Sequence, residues 1–322
     1  NQGTLTIKDS SADKTGKITV TATTNSGWNR YSAVIANTVG GKLTVEGGTL
    51  EHLGGTDMAY GIDNLTNGKG TYAETVINDG TIKSTYRAIR QFLNGIEAQN
   101  ILTINGGTVE GANKSVWMQD PNKNANTGTL TIAEDAKLVG DVYLYVTPES
   151  TSWPVEVSIA AAALQGESKV MTSNVPAGYE LAKINNTYSV ALASDLSASV
   201  NGIGYTTLAE AITAAQSGDV ITFLQDITEN VTINKNVTID GADKKYTGTM
   251  TANAGLTVTV QNVKFVNGGF DKSTKSTTGT YTIKDCTFDG AGTYAYAFRF
   301  KGANKINVEN CTVKDYEYSF LY

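Results

Sequence analysis

Arg87 and Arg90 flank Ile89 and make up two of the four arginines in the chain. A guanidinium fork matches a carboxylate in bidentate fashion, so this pair has the chemistry to meet an acidic sugar, although solvated decoration of a surface asks for the same residues. Trp28, in Gly27-Trp28-Asn29, and Trp117, in Val116-Trp117-Met118, offer ring faces on which sugars can stack. Packing into a core or corner is the competing use of each. Near the C-terminal end Tyr294, Tyr296, Phe298 and Phe300 alternate with smaller or charged residues, and Tyr316, Tyr318, Phe320 and Tyr322 alternate again. Alternation on a strand puts such residues on one face. Either the two rows stack inward, leaving Arg299, Lys301 and Glu317 in water, or the tyrosine hydroxyls form a rim that binds a glycan or a neighbouring chain.

Catalytic and metal constellations are not legible. The single histidine, His52, sits in Glu51-His52-Leu53-Gly54 and reads as a lone surface residue without a matching acid-base motif. Asp240, Asp243, Asp285, Asp289 and Asp315 fall at expected corners, where turn chemistry accounts for Asp. There is no calcium-loop pattern, zinc-ligand set, nucleophile elbow or phosphate loop. The expectation is therefore a non-enzymatic chain with no catalytic residue, no metal and no cofactor.

The elements that must position these residues are set by an internal repeat. The phrases beginning at Leu43 (Leu-Thr-Val-Glu-Gly-Gly-Thr-Leu), Thr75 (Thr-Val-Ile-Asn-Asp-Gly-Thr-Ile), Leu102 (Leu-Thr-Ile-Asn-Gly-Gly-Thr-Val) and, more loosely, Leu130 recur at steps of roughly 30 residues, a period typical of stacked supersecondary units. Each holds two short β-branched strands around a corner at Gly48, Gly80 or Gly107, where a bend often requires the positive φ that glycine tolerates. A third extended patch follows in each: Tyr31 to Ile35, Tyr60 to Ile62, Tyr86 to Ile89, Ser115 to Met118 and Val142 to Val146. Three strands per unit make one turn of a coil, and stacked turns pair in parallel around an apolar column. Helix-pair solenoids are excluded by the period-two Thr, Val and Ile pattern. The fold class expected is all-β, a right-handed parallel β-helix.

The repeat breaks between about Leu164 and Tyr205, where a Pro-Ala-Gly turn and strands at Tyr179 to Ile184 and Tyr188 to Leu192 suggest a hairpin linker or small cap. Then the period changes. Leu208, Ala211, Ile212 and Ala215 share one helical face, Thr207 and Glu210 form a capping box, and Gly218 ends the helix, which reads as a lid over an open coil end. Coils restart at Val260, Ile283 and Val308, stacking Asn262, Asp285 and Asn310 at one corner and placing Cys286 and Cys311 at equivalent points of adjacent turns. Parallel neighbours disfavour the disulfide torsion, so reduced, buried thiols are expected. The expected division is 1–163 as a first coil stack, 164–205 as linker and 206–322 as capping helix with a second stack.

The segment from Ile203 to Ile212, followed by Gly218 to Leu224 and Asn236 to Gly241, resembles the opening of pectate-lyase-like β-helix modules of large bacterial surface proteins, and Gly128 to Ile132 with the Gly-Gly-Thr coils is similar to the same group. That resemblance implies the fold and a choice among adhesin-like proteins, polysaccharide-degrading enzymes and phage tail spikes. The chain opens and stops inside strand-like phrases and reads as part of something longer. A net charge of −6 and a pI near 5.0 exclude a phosphate-backbone partner, because no Lys/Arg cluster is present, and no segment is apolar enough for membrane insertion. The function expected is attachment from the bacterial cell surface, extracellular, to glycans or host-surface molecules through Trp28, Trp117, Arg87, Arg90, Tyr294, Tyr296, Tyr316 and Tyr318. It would act as a monomer. The alternatives are a homotrimeric virion fibre or spike and a polysaccharide lyase or hydrolase.

Overall fold

The computed structural model describes residues 1–22, 32–55, 57–120, 126–146, 153, 155–272, 278–302 and 305–321, with the backbone alone at 120, 293–295 and 319–321. It is mostly β, with one short α-helix and large parallel sheets of solenoid-like character. Two compact units are present, Asn1–Tyr179 with Asn185–Val190, and Glu180–Ile184 with Ala191–Tyr322.

In the first unit the repeat becomes three parallel ladders. One runs through Thr4–Ile7, the start of Gly41–His52, the start of Tyr72–Ser84, Gln99–Ile104, Thr127–Ile132 and Val155–Ala160. A second stacks Lys17–Val20 on residues 49–52, 81–84, 108–111 and 137–139. The third carries Ser32–Asn37, Ala59–Thr66, Arg87–Leu93, then residues 114–120, 141–146 and 170–173. Repeat positions superpose by register, so Ile62, Ile89 and Val116 follow one another with no exposure, as do Ile77 and Ile104. Side chains of alternate residues point to the other side of each strand, which fixes the outward rows.

Gly80 and Gly107 show why glycine holds the corner between the first two ladders. Both have positive φ, +101° and +78°, and a Cβ would lie 2.7 Å from Gly48 O and 2.5 Å from Gly80 O respectively. Conformation and close backbone approach both demand the missing side chain.

A polar spine runs through the interior of this unit. Asn1 Nδ2 donates to Asn37 Oδ1 at 2.9 Å, Asn37 Nδ2 to Asn64 Oδ1 at 3.0 Å, and Asn64 Nδ2 to Asn100 Oδ1. Gln91, stacked on Asn64, donates to the carbonyls of Asn100 and Thr129. Amides carry donors and an acceptor, so stacked copies satisfy one another inside a core that otherwise penalises polar groups.

The second unit begins with an antiparallel pair, Ala198–Val200 against Ile203–Tyr205, and then turns parallel through Val220–Phe223, Val237–Asp240, Thr257–Gln261, Thr280–Lys284 and Lys305–Glu309. A separate eight-stranded sheet, including Thr249–Ala252, Gly269–Lys272, Thr287–Phe300 and Thr312–Leu321, forms its other walls. Asn262, Asp285 and Asn310 all adopt φ near +54°, the left-handed region that Asn and Asp tolerate best among side-chain-bearing residues. Asn310 Nδ2 donates to Asp285 Oδ1 at 3.1 Å.

The helix α1 spans Leu208–Ala214 with both halves of the capping box in place, and Leu208, Ala211 and Ile212 are buried in the core of this unit. Glu229 accepts from the backbone N–H groups of Leu208 and Ala209, and Lys235 Nζ donates to the carbonyls of Thr213 and Ala215. An anion thus meets the positive helix end and a cation the negative one. Cys286 is buried and Cys311 half-buried, both thiols are free, and burial pushes the Cys286 thiol up to about 12. No helix among the described residues is long and apolar enough to cross a membrane.

Candidate functional site: an arginine-aromatic wall

The outward side of the third ladder concentrates the chemistry of the first unit. Register places Asp63, Arg90, Trp117, Tyr143 and Met171 in one row, and Leu65, Phe92, Gln119, Tyr145 and Ser173 in the next. Phe92, Trp117, Tyr143 and Tyr145 are half-buried, so an aromatic surface climbs over successive turns and stays open to solvent on one side. Tyr143 and Tyr145 are members that sequence reasoning missed. Laying Val116-Trp117-Met118 over Val142-Tyr143-Leu144, valine on valine, would have put Tyr143 over Trp117.

The two arginines differ sharply. Arg90 is 7% exposed, and its Nε and Nη2 donate to Asp63 Oδ1 and Oδ2 at 2.7 and 2.6 Å. Its guanidinium carbon lies 4.7 Å from the Tyr60 ring centroid and 4.4 Å from that of Phe92. A ligand carboxylate would have to displace Asp63 from that fork. Arg90 therefore joins turns rather than facing solvent, contrary to the surface role the sequence suggested.

Arg87 sits between the rings of Trp117, 3.1 Å from its guanidinium carbon, and Tyr86, at 4.4 Å. No carboxylate among the described residues lies within 4.0 Å of it; Nε reaches Asn113 Oδ1 at 3.5 Å, and the Tyr60 hydroxyl and, more remotely, Asp57 act on the guanidinium. Burial pushes the Arg87 guanidinium down from its ordinary value, although an arginine keeps its proton at neutral pH. The result is a half-buried cation, fixed by stacking and without a carboxylate in direct contact among the described residues, with Asp57 acting on it only at longer range. Lys114 extends the wall, paired with Asp141 at 3.3 Å and 5.9 Å from the Tyr143 ring.

The other expected positions are dispersed. Trp28 lies outside the described residues, and so does the Tyr294 side chain. In the second unit the register stacks Tyr294 on Tyr316 and Tyr296 on Tyr318, but Phe298 and Phe300 turn into the core, where Phe288 and Phe298 meet at 4.4 Å. The inward alternative accounts for these two phenylalanines. Tyr316 Oη donates to Gly268 O at 2.5 Å, Tyr296 Oη accepts from Arg299 Nη1 at 3.2 Å, and of the three described side chains only that of Tyr318, 51% exposed, stands open. Arg299 is not left to water either. It clamps Asp271 of the adjacent turn with both Nε and Nη2, repeating within this unit the arrangement of Asp63 and Arg90.

His52 is a further correction, because it is fully buried. Gly54 N donates to Nδ1 at 3.3 Å, which assigns the proton to Nε2, 2.9 Å from Ser32 Oγ. Its place two residues after the inward Leu50 on the same strand was the signal for this. Desolvation lowers its pKa, so the unfolded chain takes up a proton before the fold does. Stability should then be full above the ordinary imidazole value of about 6.5 and fall as pH drops below it, until the buried ring protonates too. Denaturant melts from pH 8 to 5 should show this slope in the wild type and a shallower one in His52→Gln. Equal slopes would remove His52 as the cause.

Among the described residues no three His, Cys, Asp or Glu side chains gather as a metal site. The fold and wall together define a mostly β, parallel-stacked protein with an outward arginine-aromatic face. Comparison of the chain with protein-family models, with curated proteins and with solved structures finds no match.

Proposed function

We propose that this chain is a right-handed parallel β-helix of the pectate-lyase-like kind that attaches a bacterial surface to glycans bearing carboxylates, without cleaving them. The observation that carries this reading is Arg87, held between Trp117 and Tyr86 with no carboxylate within 4.0 Å among the described residues, Asp57 acting on it only at longer range. Holding a cation partly out of water is costly, and a ligand carboxylate within hydrogen-bond distance of it lowers that cost. The neighbouring rings of Tyr143 and Tyr145 supply the flat apolar surface that sugar faces pack against. The protein's charge of −6 makes a cationic site of this kind local, since distant charges are screened beyond about 10 Å at 0.1 M salt.

A glycan array, run beside an assay for release of unsaturated or reducing sugar, tests it. Retention of uronic- or sialic-acid glycans without product release is the expected outcome. Turnover abolished by changing one carboxylate would make the chain an enzyme, and a stable trimer in light scattering that binds no glycan would favour a virion fibre.

A further inference from the structure

A second site lies on a different part of the same unit, along the glycine corner between the first two ladders. Gly47, Gly48, Gly80 and Gly107 of that corner line a trough of about 370 Å³, within the range of small-ligand sites. Its floor carries Thr49, Thr81 and Thr108, stacked in register, one hydroxyl per turn at a rise of about 4.8 Å. None of these three hydroxyls makes a hydrogen bond to the protein among the described residues, and all three residues are half-buried. Asp79 and Asp135 stand on its walls with Lys14 and Lys137.

We propose that this trough binds a neutral glycan chain lying along the stacking direction, independently of the arginine-aromatic wall. The charges balance, two acidic against two basic, so neither an anionic nor a cationic ligand is selected. The backbone of the threonine strands is already paired on both sides, which leaves no sheet edge for a peptide strand to extend. What the trough does present is a periodic row of hydroxyls, each able to donate and accept, flanked by carboxylates that accept from vicinal sugar hydroxyls. No aromatic ring lines it. Affinity therefore comes from hydrogen bonds repeated turn by turn and should grow with chain length.

Calorimetric titration with neutral hexose oligosaccharides of increasing length tests the proposal. Affinity should rise with length and then level off. Thr49→Val/Thr81→Val/Thr108→Val removes the hydroxyls while keeping β-branched side chains of similar volume, and should weaken the longest binder at least tenfold with unchanged melting. Thr81→Val alone, the milder change, should weaken it severalfold. Arg87→Gln should bind these neutral oligomers like the wild type, which separates this site from the wall. Absence of saturable binding across the series, or hydroxyl-free variants that bind as well as the wild type, would overturn it.

Discussion

Asp63→Ala should destabilise the first unit by about 3–5 kcal/mol, because it removes the carboxylate that both guanidinium bonds of a buried arginine meet. Asp63 has no exposure and Arg90 only 7%, so water cannot replace the lost partner. The pair joins residues 27 positions apart in sequence, and its loss loosens two turns at once. Replacing both members by apolar residues, Asp63→Leu with Arg90→Met, should recover most of the loss, since desolvating the ions cancels much of their attraction. Denaturant unfolding of the single and double variants measures both. An Asp63→Ala cost under about 1 kcal/mol would place the pair in water and contradict the burial on which the wall's geometry rests.

Gly107→Val should cost of the order of 3 kcal/mol or more, combining a strained φ with a steric collision. The φ of +78° disfavours any β-branched residue, and the new Cβ would stand 2.5 Å from Gly80 O and 3.1 Å from Gly80 N. Those are backbone atoms of the turn below, so relief requires the stack itself to open. By contrast, glycines whose Cβ meets nothing within 4 Å, such as Gly166, escape the collision and keep only the conformational cost. Thermal melts of Gly107→Val and Gly166→Ala make the comparison. Equal losses would mean that turn-to-turn contact at the corner is looser than described.

Much of the scaffold was readable because repetition multiplies weak signals. Thr, Val and Ile at period two, with glycine at one recurring point, specify stacked strands more firmly than any single segment does. The helix was readable for a local reason: Thr207 and Glu210 cap each other and three apolar positions share a face. The shared corner of Asn262, Asp285 and Asn310 followed from aligning repeats, whereas its left-handed backbone did not.

The candidate site was less legible. Arg87 and Arg90 are three residues apart, so their opposite fates depend on a partner, Asp63, whose proximity exists only once register is fixed. The same holds for Tyr143 and Tyr145, which matter because they stack beyond Trp117 and Gln119. Register also decides that alternation at the C-terminal end buries Phe298 and Phe300 while leaving Tyr318 exposed. Outward rows of a solenoid are properties of several turns together, and one turn's sequence carries only one rung of each.

The most direct measurement of the central claim is calorimetric titration of the wild type and Arg87→Gln with an oligosaccharide of uronic acid residues and with its carboxyl-reduced, neutral counterpart. The wild type should bind the acidic form more tightly, and Arg87→Gln should lose that preference, about ten- to a hundredfold for a charged hydrogen bond of about 1.5–3 kcal/mol. Wild-type and Arg87→Gln proteins that bind the acidic oligosaccharide equally, or a wild type that does not distinguish the acidic from the neutral form, would contradict it.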